Sequence, residues 1–183
     1  RGDIMKKVKQ VVILSLVLAV AGVQANNIRV ENMVLRDQDT ATTQVTVQFD
    51  LSWENSWRNE LNHDAAWVFL KFRAPESNDW QHAYLVTEAE NHRVLGGVVE
   101  IGTSLIGDTA CGMGAFIYSA GMQTGTVQYA RTRLRWDYGV SGYAFTKGEE
   151  IDVAVNAIEM VYVAEGSFFV GSGGTERDSF TDG

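Results

Sequence analysis

The sequence of 183 residues contains one cysteine and one proline. Cys111 alone cannot close an internal disulfide, so no disulfide framework holds the fold. With Pro75 as the sole proline, collagen-like and Pro-rich extended architectures are excluded as well. Positive charge is also scarce, at 15 Lys and Arg against 23 Asp and Glu. That balance excludes a polybasic nucleic-acid binder and disfavours anionic lipid as a partner. Long apolar runs are missing but for Val11 to Val20, which Ser15 interrupts. It falls short of the roughly 18 to 20 residues that span a bilayer, and no basic stop-transfer flank comes after it.

What the first 25 residues do contain reads as a secretory signal. Lys6, Lys7 and Lys9 form a positive start, Val11 to Val20 an apolar centre, and Val23-Gln24-Ala25 a small-x-small site with cleavage expected after Ala25. Residues 5–25 are therefore expected to be a cleaved signal helix, and Arg1 to Ile4, upstream of Met5, carry no functional weight. The protein is expected to be secreted, periplasmic or on the cell surface, with no membrane association after cleavage, and its short Lys-rich signal points to a bacterium. Removing residues 1–25 takes away four basic groups and one acid, leaving 158 residues with 11 Lys and Arg, 22 Asp and Glu, and a formal charge of −11. A chain of that length buries a normal core without covalent staples.

The remaining chain alternates with period two, not 3.6. From Gln44 to Trp53, Val45, Val47, Phe49, Leu51 and Trp53 point one way and polar residues the other, the pattern of a half-buried antiparallel strand. Ala65 to Arg73 is apolar on both faces, which predicts a central strand covered on both sides, with Trp67 in the core alongside Trp136. Further strands are predicted at Ile28–Leu35, His82–Val86, Val98–Ile101, Gly114–Ser119, Thr126–Tyr138 and Ile151–Val163. Turn residues separate them at Asp37–Thr40, Pro75–Asp79, Gly96-Gly97, Gly121–Gly125 and Lys147-Gly148. Only Ser56 to Asp64 has the composition of a short helical turn. The pattern predicts an all-β fold, a single antiparallel β-sandwich over residues 26–163 that is immunoglobulin-like in general architecture. An irregular Gly/Ser-rich tail occupies residues 164–183.

At that boundary the run Ile158-Glu159-Met160-Val161-Tyr162-Val163-Ala164-Glu165-Gly166-Ser167-Phe168-Phe169-Val170-Gly171-Ser172 resembles the opening of the formylglycine-generating enzyme, or sulfatase-modifying factor, family. That opening is typically Met-Val-x-Val-Pro-Gly-Gly-x-Phe-x-Met-Gly. Met160, Val161, Val163, Gly166, Phe168 and Gly171 match it, whereas Ala164, Glu165 and Val170 depart from it. The segments Val47–Arg58, Asp64–Phe69 and Leu134–Gly139 resemble the β-sandwich found ahead of such domains in exported bacterial proteins. The resemblance implies that residues 1–183 are the leading portion of a longer protein, in which the tail begins a second domain. It carries no catalytic residue across, because the family's reactive cysteines have no counterpart here.

Individual side chains give a few binding candidates and no catalytic one. Cys111 lacks a neighbouring histidine or cationic group in sequence to activate it and reads as a small structural thiol. His63-Asp64, His82 and His92 lack the spacing of a zinc pair, although Glu88, Glu90 and His92 alternate on one strand face. No cofactor is called for. Asp37 with Asp39, and Glu149 and Glu150 with Asp152, offer oxygen sets that can take calcium, without the ligand count of a calcium loop. Arg131, Arg133 and Arg135 share one face of a strand whose other face carries Ala130, Thr132, Leu134 and Trp136. Three aligned guanidiniums suit an anionic glycan or an acidic partner surface, and equally suit cross-strand pairing with Asp50 or Asp152. Trp57 and Trp80 stand among polar residues, where a ring stacks on sugar, fills a partner's pocket or folds over the sandwich end. The expected function is that of an exported, non-catalytic binding or assembly module with a protein partner or self-association through sheet edges. The alternatives are a filament or adhesin subunit assembling by strand addition, and a carbohydrate-binding module.

Overall fold

Period-two alternation produces strands in nearly every place it occurs. The computed structural model describes residues 27–75, 77–146, 148–163 and 165–166. The signal-like leader, the cleavage position and most of the Gly/Ser-rich tail lie outside the described residues. Among the described residues eight strands occur in chain order: β1 Arg29–Asp39, β2 Gln44–Arg58, β3 Ala65–Arg73, β4 Gln81–Ala83, β5 Gly97–Ile106, β6 Thr109–Ser119, β7 Gln123–Asp137 and β8 Asp152–Met160. Every pairing between them is antiparallel. One sheet has the order β1-β2-β7; in the other, β8 pairs all of β3 on one edge while β6 and β4 share its opposite edge, with β5 beyond β6. No helix among the described residues is long and apolar enough to cross a membrane.

The two sheets pack face to face, so the fold is an all-β antiparallel sandwich. Val47, Phe49, Leu51 and Trp53 of β2 meet Val68, Leu70 and Phe72 of β3 and Ile117 of β6, all 0 or 1% exposed. Stripping water from side chains of this size is worth about 1.5–3 kcal/mol each, which is what the alternation achieves. On one lateral side the segment between β4 and β5 ties the sheets together. Leu85 bridges Gly112 of β6 and Trp136 of β7, and Arg93 pairs with Arg133 of β7. On the other side β1 and β8 approach without pairing.

Several expectations need correction. The stretch Ser56 to Asp64 is not helical: β2 runs through Arg58, and the Asn59 side chain then accepts the N–H groups of Leu61 and Asn62 to turn the chain. The one 3-10 turn among the described residues lies at Ala89–Asn91. Asp37 and Asp39 belong to β1, and the reversal falls after them because the Asp39 carboxylate accepts the N–H groups of Ala41 and Thr42. Ala130 is exposed and does not join the inner face, because β7 carries a bulge there. Trp67 is likewise not core. From Ala66 onward β3 is buried only on its even-numbered face, while Trp67 and Phe69 are half-buried on the outer one.

Trp67 keeps its partial burial on that outer face because two glycines leave room for its ring. A Cβ on Gly114 would meet Trp67 Cζ2 at 2.6 Å and the Val68 carbonyl at 2.7 Å, and one on Gly102 would meet Trp67 Cη2 at 2.7 Å. Glycines inside strands mark such close approaches. Gly114→Ala is expected to lower stability by about 1–3 kcal/mol in chemical denaturation, since the Val68 backbone cannot yield. Gly121→Ala, whose Cβ meets nothing within 4 Å, is expected to leave stability unchanged. Equal effects from the two substitutions would overturn this account of Trp67.

Candidate functional site

The arginine row owes its arrangement to the bulge in β7. Leu51 pairs with Tyr129 and Phe49 with Thr132, so Ala130 and Arg131 together oppose Asp50. Arg131 adopts the left-handed conformation with φ of 54°, and its N–H donates to Asp50 Oδ1 at 2.6 Å. The Asn32 amide donates to the other Asp50 oxygen at 2.7 Å, and these bonds hold the Asp50 carboxyl below its ordinary pKa. Beyond the bulge, Arg133 donates Nε to Gln48 Oε1 at 3.2 Å. Arg135 is used up as a strut: Nε donates to Gln44 Oε1, and Nη1 to the Asp37 carbonyl and Thr46 Oγ1. Cross-strand pairing with acids is thus not the main role of the row. Asp152 lies on the other sheet, where it bonds Arg73 at 2.5 Å, and Asp50 engages the Arg131 backbone.

A fourth arginine joins this face, from a segment whose sequence gives no sign of it. Arg93 and Arg133 exchange both backbone hydrogen bonds, at 2.9 and 2.8 Å. Such a pair brings the two Cα atoms to about 5.5 Å with side chains on the same face. Arg93, Leu95, Arg131 and Arg133 line a hollow of about 120 Å³.

Trp57 and Trp80 do not form one site. Trp57 packs edge-on against Tyr162, with centroids 6.3 Å apart, near the Ala65 end of β3. Buried Asp64 secures that corner by accepting the N–H groups of Trp57 and Tyr162. Trp80 is 41% exposed and lies under the Arg73 guanidinium, 5.0 Å from its centroid, at the opposite end of β3. The aromatic strip between them has no counterpart among the sequence-based candidates. Trp67 packs on Phe116 at 4.6 Å, His82 stacks on Phe69 at 6.3 Å, and His63 lies 4.0 Å from Tyr118.

Of the remaining titratable candidates, Glu149 and Cys111 have structural partners. Among the described residues no group of three or more His, Cys, Asp or Glu is gathered to hold a metal ion. Glu149 accepts the Thr146 N–H and hydroxyl and the Tyr143 hydroxyl, which hold its carboxyl below its ordinary value. Cys111 is a free, buried thiol directed at the Thr109 carbonyl.

The edge formed by β8 is more distinctive. Its nine pairs with β3, from Ala65↔Met160 to Arg73↔Asp152, run without a bulge, and beyond Met160 the chain exposes Val161, Tyr162 and Val163, the last by 83%. No Lys, Arg or Pro occurs between residues 152 and 163. The edge of β1, in contrast, is broken by two register shifts and by left-handed Asn32 and Asp37.

His92 connects the arginine face to the core. Its Nδ1 accepts the Arg135 N–H at 3.1 Å, and its Nε2–H donates to the Val86 carbonyl at 2.9 Å, which fixes the neutral ring. Burial lowers its pKa below 6.5. An unfolded chain takes up a proton near pH 6.5 that the folded one refuses, so this contribution is present above pH 6.5 and lost as pH falls towards the folded pKa. Thermal unfolding is expected at a lower temperature at about pH 5.5 than at about pH 7.5, with His92 supplying at most about 1.4 kcal/mol per pH unit. His92→Gln, which can keep both hydrogen bonds, is expected to shrink the drop; an undiminished drop would remove His92 as its source. No protein-family model, curated protein or solved structure matches the chain.

Proposed function

We propose that the chain is an exported, non-catalytic β-sandwich module that binds and assembles by accepting a strand at the β8 edge, with a second copy as its partner. The observation that carries this reading is the unprotected edge itself. A long, flat, apolar strand edge offers a row of N–H and C=O groups for pairing, and bulges, Lys or Pro are the usual means of blunting it. β8 has none of these, whereas β1 has two register shifts. Strand addition supplies main-chain hydrogen bonds for affinity and pockets for alternate side chains for specificity. Two copies of one edge are self-complementary when paired antiparallel about a two-fold axis.

In this reading residues 5–25 direct export, and the run from Ile158 belongs to the sandwich as far as its strand lasts. The sulfatase-modifying-factor resemblance then applies to the segment after β8 in a longer parent protein. Exposed Met160 ends the edge strand, and exposed Val161 and Val163 of that motif follow it.

Light scattering coupled to size exclusion tests the assembly. The full chain is expected to shift from monomer to dimer or larger species as concentration rises through the micromolar range. Ile158→Lys/Met160→Lys, at two exposed positions of β8, is expected to remain monomeric with unchanged circular dichroism, because Lys on an edge opposes pairing. A wild type that stays monomeric at every concentration would sink the reading.

A further inference from the structure

The hollow on the outer face of the β1-β2-β7 sheet has the properties of a binding site independent of the β8 edge. Arg93, Arg131 and Arg133 line about 120 Å³ of open space, with Leu95 as the fourth wall. Among the described residues none of the three forms an ion pair; Arg73 with Asp152 is the pair that does form. Asp50, the carboxylate nearest Arg131, gives one oxygen to the Arg131 N–H and the other to Asn32. Arg133 spends only its Nε, on neutral Gln48.

This arrangement carries two costs, of which only the second, the bulge conformation, is offset within the protein, by the inward burial of Leu134 and Trp136 and by the Asp50 carboxylate. Arg93 and Arg133 are directly opposite in a hydrogen-bonded cross-strand pair, where like charges repel. Arg131 occupies the left-handed region with φ of 54°, a conformation that L residues other than Asn and Asp seldom adopt. The sequence has twice as many acids as bases after residue 25, so acidic partners are plentiful, yet this face holds its arginines together. An anion in the hollow would cancel the repulsion and occupy guanidinium forks otherwise without an acceptor.

We propose that Arg93, Arg131 and Arg133 form an oxyanion-binding site that takes a carboxylate, sulfate or phosphate group. Arginine's planar fork of N–H donors matches the paired oxygens of these groups, which a lysine cluster would not do. Free inorganic oxyanions and the acidic groups of a glycan share that chemistry. Arg135 stays outside the site: it does not line the hollow, and its Nε and Nη1 are tied to Gln44, Thr46 and the Asp37 carbonyl.

Arginine side-chain Nε–H signals of the full chain, followed by NMR, provide the test. Titrants are sodium sulfate, sodium phosphate, trigalacturonate and uncharged maltotriose, against sodium chloride at matched ionic strength. Saturable shifts confined to Arg93, Arg131 and Arg133 are expected with the anions and absent with maltotriose. Trigalacturonate binding at least tenfold tighter than sulfate would assign the glycan as source, and comparable affinities the free ion. Arg93→Gln and Arg133→Gln are each expected to weaken binding at least tenfold, while Lys71→Gln on the other sheet leaves it unchanged. Removing one member of the repelling pair is also expected to raise the melting temperature of ligand-free Arg93→Gln at low salt, a gain that disappears in sulfate. Absence of saturation with every anion, or equal binding by wild type and both arginine variants, would overturn the proposal.

Discussion

One extra residue in β7 decides which side chains of the β1-β2-β7 sheet meet the core. Before the bulge the inward residues are Val127 and Tyr129, and after it Thr132, Leu134 and Trp136, so the inward set passes from odd to even numbers at Ala130-Arg131. A strand of constant period would have pointed one of these groups at water, since a slip of one residue inverts every side chain. Leaving Leu134 and Trp136 exposed would forfeit roughly 1.5–3 kcal/mol each. The left-handed backbone at Arg131 costs about 1–2 kcal/mol. Burial therefore wins, and the Asp50 carboxylate secures the outcome by accepting the N–H that the bulge leaves unpaired.

The outer surface inherits its chemistry from that solution. Since Leu134 and Trp136 turn inward, Arg133 and Arg135 turn outward, and the bulge presents Arg131 beside them. The segment closing the sandwich then has to pair along β7, and the backbone register of that closure sets Arg93 against Arg133. His92, one residue earlier, faces the opposite way and is buried, with its ring nitrogens bonded to Arg135 and Val86. Core closure and the gathering of arginines thus arise from a single register. The charges are held together by backbone geometry, against their mutual repulsion.

Where one strand's pattern suffices, the sequence is readable. The limits of β3 coincide with the apolar run Ala65–Arg73, and the alternation from Gln44 marks the inward face of β2. The fold class can be deduced from these patterns and from turn residues alone. What a single strand cannot reveal is its partner. The bulge at Arg131 is visible only when β7 is laid against β2, and Arg93 lies in a stretch whose one sequence feature is an acidic cluster. Trp67 reads as core because it stands in an apolar run, but its neighbours Gly102 and Gly114 come from β5 and β6. Glycines in otherwise regular strands are the available signal, since they mark close approach without naming what approaches. For Arg131, Arg133 and Arg135 the sequence reveals the shared face, but not that Arg135 is consumed by hydrogen bonds while Arg93 takes its place.

The two open strands on the unclosed side of the sandwich face the same hazard with different freedom. β1 pairs only with β2, and it can twist away at Asn32 and Asp37 because its main contact with the core is half-buried Val30, next to Ile28 just ahead of the strand. β8 lacks that freedom. Its Val153, Val155 and Ala157 lie opposite Phe72, Leu70 and Val68 in unbroken register and cover the edge of the core. A bulge anywhere along this strand would turn at least one of the three to solvent and uncover the residue behind it. The flatness that keeps β8 available for pairing is therefore a requirement of the core. Protection of that edge has to come from charged side chains, which residues 152–163 supply only as Asp152 and Glu159, or from a strand that covers it.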